Sequence, residues 1–219
     1  MLFIIFLVTR LTIILLLLYA VVIGLGMYKP QFFLIKPAED SSRKLFLKLN
    51  IRLFTVFFLF LLIGFLIPQN LKIPVENATV SDYNQESYWF HPWGRKGRTH
   101  KGVDIFAKKG TNLYSATNGV VLYTGTIGLG GKVVLILGPK WRLHYYAHLD
   151  AISTERFAFV SSKSLIGKVG DTGNAKGKPP HLHYSIGTLI PYIWKVDRDV
   201  QGIYKMIFLN PIPYLNRAK

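Results

Sequence analysis

The sequence predicts a chain in two parts: two membrane-spanning α-helices, followed by a compact, mainly antiparallel β domain built as a sheet or barrel-like sheet. Three observations carry that prediction. Half of the 219 residues are apolar, and they crowd into the first third of the chain. From Tyr88 onward the chain turns to short β-type runs broken by glycine, with almost no helical periodicity. Near the end, Pro180-His181-Leu182-His183-Tyr184-Ser185-Ile186 alternates in character. On a strand, His181 and His183 then share one face with Cα atoms roughly 6.6 Å apart, and Leu182, Tyr184 and Ile186 take the other.

The first apolar run has seventeen uncharged residues, 11–27, behind the apolar residues 1–8; the second, 53–67, is closed by Pro68. Both fall a little short of the about 20 residues that span a bilayer core, and Arg10 and Arg52 can snorkel to extend them. A signal peptide fits the first run as well, but no small-x-small site follows it and a second run comes soon after. Residues 1–67 are therefore expected to anchor the chain in the lipid bilayer through two helices. The segment between them, 28–52, carries Lys29, Lys36, Arg43, Lys44, Lys48 and Arg52 against Glu39 and Asp40. Basic loops of this kind stay in the cytoplasm, which places the rest of the chain on the outer, periplasmic side of the cell (inner) membrane.

Residues 68–87 are polar, without a clear period, and read as a linker. The domain proper is expected over 88–190, with strands near 119–124, 132–137, 142–149, 164–170 and 181–186, and a C-terminal extension, 191–219, packing on it. The glycine-rich stretch 125–131 leads into a strand rather than a helix, so it is not a phosphate cradle.

The chain holds 27 basic and 11 acidic residues, and 20 of the basic and 9 of the acidic ones lie in 68–219. Such a field draws polyanions. Outside a membrane these are anionic wall polymers or lipid head groups, not nucleic acid. Without cysteine the domain has neither disulfides nor thiolate metal sites, so any metal is held by histidines and carboxylates.

Six histidines are present. His100-Lys-Gly-Val-Asp104 places an imidazole and a carboxylate four apart, and Gly102 permits the bend that brings both onto one ion. With His183 they supply three ligands and leave a fourth position open, as in catalytic rather than structural zinc sites. Taken together, His100-x-x-x-Asp104, Tyr146-Ala-His148-Leu, and Gly170-Asp-Thr-Gly leading to His181-Leu-His183 resemble the lysostaphin-like (LytM-type) zinc metallopeptidases, which cut peptide cross-links of bacterial cell walls. The resemblance runs from about Trp89 to Ile186. It implies one zinc per chain on His100, Asp104 and His183, with His148 and His181 as catalytic residues flanking the attacking water. The substrate it implies is the peptide part of peptidoglycan. Imidazoles suit the proton transfers, since no His-Glu-x-x-His supplies a glutamate and a histidine can act as base and then acid near neutral pH.

The chain departs from the family in having Pro179-Pro180 before the histidine pair and Tyr184-Ser185 after it, where Gly-Pro and Phe-Glu are common. The tyrosine that assists some relatives has only Tyr146 and Tyr88 as candidates here. His144 shares a face with His148 on an unbroken strand but lies about 13 Å along it. His91, in Trp89-Phe-His91-Pro-Trp93, reads as structural, and Arg95, Lys96, Arg98 and Lys101 as a basic run beside the metal. The alternatives are a catalytically silent relative that binds wall or a partner hydrolase and regulates it, and a basic polymer-binding β domain with a structural metal. Silent relatives usually lack a ligand, and this chain keeps all three.

Overall fold

The computed structural model describes residues 40–91 and 98–218. They fall into two compact units, one ending at Leu66 and one starting at Ile67.

In the first unit, helix α1 (Asp40–Leu66) contains the apolar stretch Leu47–Leu66, which is long and apolar enough to cross a membrane. Its large side chains from Leu47 to Leu66 are mostly exposed, as a lipid-facing helix requires. Pro68 follows its end, where it can no longer cost a helical hydrogen bond. The basic segment expected as a loop over 28–52 is helical from Asp40 on, because Leu, Lys and Arg are strong helix formers. The first expected span, within 1–27, lies outside the described residues.

The second unit is antiparallel β throughout its pairings. Its strands are β1 (Val103–Phe106), β2 (Asn112–Tyr114), β3 (Gly119–Ile127), β4 (Gly131–Gly138), β5 (Arg142–Leu149), β6 (Ala151–Ile152), β7 (Phe159–Val160), β8 (Leu165–Lys168), β9 (His181–Thr188) and β10 (Phe208–Leu209). One sheet runs β1-β9-β5-β4-β3-β7, with β10 also on β9, and a smaller one runs β2-β8-β6. These are two open sheets rather than a barrel. Short helix α2 (Ile212–Leu215) closes the chain. The glycine-rich stretch is the β3–β4 hairpin connection, with a 3₁₀ turn at Gly128–Gly130.

The core lies under one face of the larger sheet. Leu182, Tyr184 and Ile186 of β9, Ile105 of β1, Ile136 of β4 and Tyr146 of β5 are fully buried there, joined by Leu113 and Ile166 of the smaller sheet. Two segments outside the strands complete it. Residues 68–87, read as a linker, instead supply Leu71, Val75 and Tyr83; their few apolar residues are scattered among polar ones, which hid them from any periodicity. The extension supplies Leu209, Ile212 and Leu215, and β10 pairs Phe208 and Leu209 with Gly187 and Ile186.

Candidate active site

Register builds the site. β1 and β9 pair antiparallel with Asp104 opposite His183 and Phe106 opposite His181, so the carboxylate and both imidazoles share the face that looks away from the core. Asp104 Oδ1 lies 2.8 Å from His183 Nδ1 and 3.1 Å from His100 Nε2, and the two nitrogens are 3.1 Å apart. His100 arrives on the segment before β1, where Gly102 is needed for space. A Cβ there would sit 2.5 Å from the Tyr184 carbonyl and 2.9 Å from the His183 ring.

These three residues are the described ones that can gather on a metal. The protons support the fit. His100 Nδ1 is 2.8 Å from the Ser87 carbonyl, which can only accept, so Nδ1 carries the hydrogen and Nε2 presents a lone pair. That lone pair faces a carboxylate oxygen at 3.1 Å, an arrangement that needs a proton or a cation between the two acceptors. Two imidazole nitrogens and one carboxylate oxygen are a donor set suited to zinc. The electrostatics show the same coupling. Burial depresses the His100 imidazole, but Asp104 more than offsets it and raises it above its ordinary value. At His183 burial outweighs Asp104 and the value falls. Burial pushes Asp104 up, yet the two imidazoles, which donate to it when protonated, hold its carboxyl well below the usual range.

His148 and His181 close the other side, with ring centroids 5.0 Å apart and His148 6.0 Å from His183. His181 Nδ1 donates to the Pro179 carbonyl at 2.8 Å and His148 Nδ1 to the Thr172 carbonyl at 2.9 Å, so each keeps Nε2 free. Burial, then the neighbouring His183 and His181, lowers His148 to about 4. The turn bearing Thr172 is fixed from below, since Thr172 Oγ1 donates to the Leu149 carbonyl and accepts from the Lys132 amide, both at 2.9 Å.

His148 reaches this face only through an irregularity. Between the pairs Val134–Tyr146 and Lys132–Leu149, β5 holds one extra residue, and His148 adopts a left-handed backbone with φ 67°. Strict alternation would put His148 beside His144; the bulge turns it to the opposite face. His144 stays fully buried, its Nδ1 2.7 Å from the Tyr184 hydroxyl and its Nε2 2.9 Å from the Gln69 amide. Leu149, after the bulge, returns to the core.

The tyrosine candidates are not at the site. Tyr146 lies in the core, accepting from the Ala116 amide at 2.8 Å, and Tyr88 donates to the Phe208 carbonyl at 2.7 Å. The tyrosine on the site face is Tyr145, with its ring 6.4 Å from His183. Its parity with Ala147, which pairs with His183, is the signal for it, but that signal needs the β5–β9 register. Phe106 was missed as well; it is 47% exposed and its ring lies 5.5 Å from His181. His91 stands away from the cluster, 3.4 Å from Asp199. Lys101, expected in a solvated basic run, is buried, while Arg95 and Lys96 lie outside the described residues.

Residues 98–191 match peptidase family M23. The chain carries a peptidase M23 domain. Among its relatives, the L-Ala--D-Glu endopeptidase of Bacillus subtilis is 36% identical over 114 residues, covering 48% of this chain and 35% of that protein. The peptidoglycan DD-endopeptidase ShyA of Vibrio cholerae is 30% identical over 115 residues, covering 52% of this chain and 26% of that protein. The chain thus spans about a third or less of the length of these curated relatives. Among solved structures, the catalytic domain of lysostaphin from Staphylococcus simulans aligns with a TM-score of 0.49 at 22% identity, covering 62% of this chain and 93% of that one. The M23 match includes all five histidine and aspartate positions of the cluster.

Proposed function

We propose that this protein is a membrane-anchored, zinc-dependent endopeptidase that hydrolyses peptide cross-links of bacterial peptidoglycan, with its M23 domain on the outer side of the cell membrane. The observation that carries this reading is the convergence of His100, Asp104 and His183 at 2.8–3.1 Å, with the free Nε2 atoms of His148 and His181 on the same face. His100, Asp104 and His183 hold the zinc. When bound there, zinc supplies Lewis acidity, bringing the pKa of water to about 7 and polarising a scissile carbonyl.

The remaining work falls to side chains. At neutral pH the His148 imidazole is neutral, because its value lies near 4, and its Nε2 is ready to receive a proton. His181, held through Nδ1 by Pro179, presents a second Nε2 across a 5.0 Å ring separation. Between them the pair takes the proton from the attacking water and returns it to the leaving amine. Once an imidazole has taken the proton, its new Nε2–H also stabilises the oxyanion. Phe106, exposed beside His181, lines the approach. Peptidoglycan as substrate accords with the names of the relatives and with a basic domain outside the membrane, where wall polymers are the anions at hand.

The test uses the full chain in detergent: metal content, and release of peptides from purified peptidoglycan, for wild type, His148→Ala and a chelated sample. The expected result is about one zinc per chain, consistent with a single three-ligand site, and cleavage lost in both controls. Zinc without cleavage of any wall type would shift the reading to a silent regulator. Topology is tested separately. The chain has no cysteine, so Lys163→Cys provides a single label on the exposed surface of the domain. It should react with an impermeant maleimide in intact cells or spheroplasts; reaction only after lysis would overturn the outer placement.

A further inference from the structure

We propose that Gln201, in the C-terminal extension, is a positioning residue that holds the His100 loop in the geometry that accepts the metal; this rests on the zinc reading above. The Gln201 Oε1 atom accepts from the Thr99 amide at 3.4 Å, the Thr99 hydroxyl at 3.0 Å and the Lys101 ammonium. Those two residues flank His100 on either side. Lys101 is a fixed post: it is only 8% exposed, and its ammonium lies 5.3, 5.6 and 5.9 Å from the ring centroids of Trp89, Tyr204 and Phe208. Two of those rings, Tyr204 and Phe208, belong to the extension.

Residues 87–90 hold His100 itself from the other side. The Trp89 amide donates to the His100 carbonyl at 2.7 Å, the His100 amide donates to the Phe90 carbonyl at 2.9 Å, and the His100 ring donates to Ser87. The Trp89 indole is in turn bound to the Val200 carbonyl at 3.0 Å. Gln201 adopts a left-handed backbone with φ 57°, a conformation that an ordinary residue keeps where its contacts over-determine it. The segment 99–102 has no ladder of its own, so its position is set by these bonds. Removing this acceptor would leave the buried ammonium only the Thr99 hydroxyl at 2.9 Å and the Thr99 carbonyl at 3.5 Å, and would free Thr99 from the extension, so the relaxation that restores hydration swings Lys101 outward and carries His100 with it.

The experiment titrates the full chain in detergent with cobalt and zinc against a chromophoric chelator, for wild type, Gln201→Ala, Gln201→Glu, Lys101→Met and His100→Ala. Gln201→Ala and Lys101→Met should weaken metal affinity by about tenfold, the lower end of what outer-shell partners contribute. Gln201→Glu, which keeps the acceptor, should restore near-wild-type affinity. The visible cobalt band should change shape in Gln201→Ala and recover in Gln201→Glu, a signature that a merely destabilised fold would not give. Wild-type affinity in both Gln201→Ala and Lys101→Met would overturn the proposal while leaving the zinc reading intact. No metal uptake by wild type, or uptake undiminished in His100→Ala, would overturn both. If Gln201→Ala does not fold, Lys101→Met against wild type decides.

Discussion

Gly102 and His148 show how the site depends on single backbone positions. At Gly102 the obstacle to any side chain is partly backbone, the Tyr184 carbonyl at 2.5 Å from an added Cβ, and partly the His183 ring at 2.9 Å. The carbonyl belongs to a sheet and cannot retreat, so the loop that bears residue 102 must shift, and His100, two residues before it, moves with it. Gly102→Ala should therefore lower metal affinity by about tenfold or more, in the range expected when ligand orientation is disturbed, measured by chelator competition. Unchanged affinity would mean that the loop takes up the methyl group without displacing His100. His148→Ala should reduce kcat by roughly 10²–10⁴-fold, the usual contribution of a general acid or base, with metal content unchanged. Loss of the metal in that variant would instead make His148 part of the binding site.

At the level of elements, β9 ties the candidate site to the core. Its odd-numbered histidines face the site while Leu182, Tyr184 and Ile186, all fully buried, face inward. Tyr184 also closes a buried chain of hydrogen bonds. The Gln69 amide donates to His144 Nε2, which leaves Nδ1–H to donate to the Tyr184 hydroxyl at 2.7 Å. Tyr184→Phe leaves that donor buried without its acceptor and should cost about 1–3 kcal/mol, read by urea unfolding with and without metal. An equal loss in both conditions locates the effect in the core. A loss confined to the metal-bound form would show instead that Tyr184 acts through the site. The pairing of β9 with β1, β5 and β10 at once explains why its register is specified from both sides.

Across the whole molecule, the same buried imidazole sets a pH response. Burial, and then the Arg142 charge, lowers His144 from its ordinary 6.5 to about 3. Below about pH 6.5 the unfolded chain binds a proton that the folded chain refuses until about pH 3. Stability should therefore fall as the pH drops through that window, by up to about 1.4 kcal/mol per pH unit for one proton. His148 and His183 are also lowered and act in the same direction. The metal-free protein is therefore compared with His144→Asn, whose unfolding free energy should vary less steeply between pH 6 and 4, an interval chosen to lie within the about 3–6.5 window. Identical slopes would show that His144 is not kept neutral by the fold.

The sequence alone determined what depends on local spacing. Alternation over 181–186 separates a histidine face from a core face on any strand, and His100-x-x-x-Asp104 with its glycine carries its chemistry wherever it is placed. The β class followed from glycine-punctuated apolar runs, and the apolar helix ending before Pro68 from length and composition. Tertiary structure decided what depends on partners distant along the chain. The bulge that turns His148 to the site exists only because β5 is held against β4 in a fixed register, and without it the alternation of β5 points that histidine at the core. Gln69, Tyr83 and Gln201 are polar or isolated residues in segments without periodicity, so nothing local marks them; they gain their places against His144, Asn216 and Lys101 across 75, 133 and 100 residues of separation. Contacts of that span are fixed by how the whole chain buries its apolar surface, and a local pattern does not contain that information.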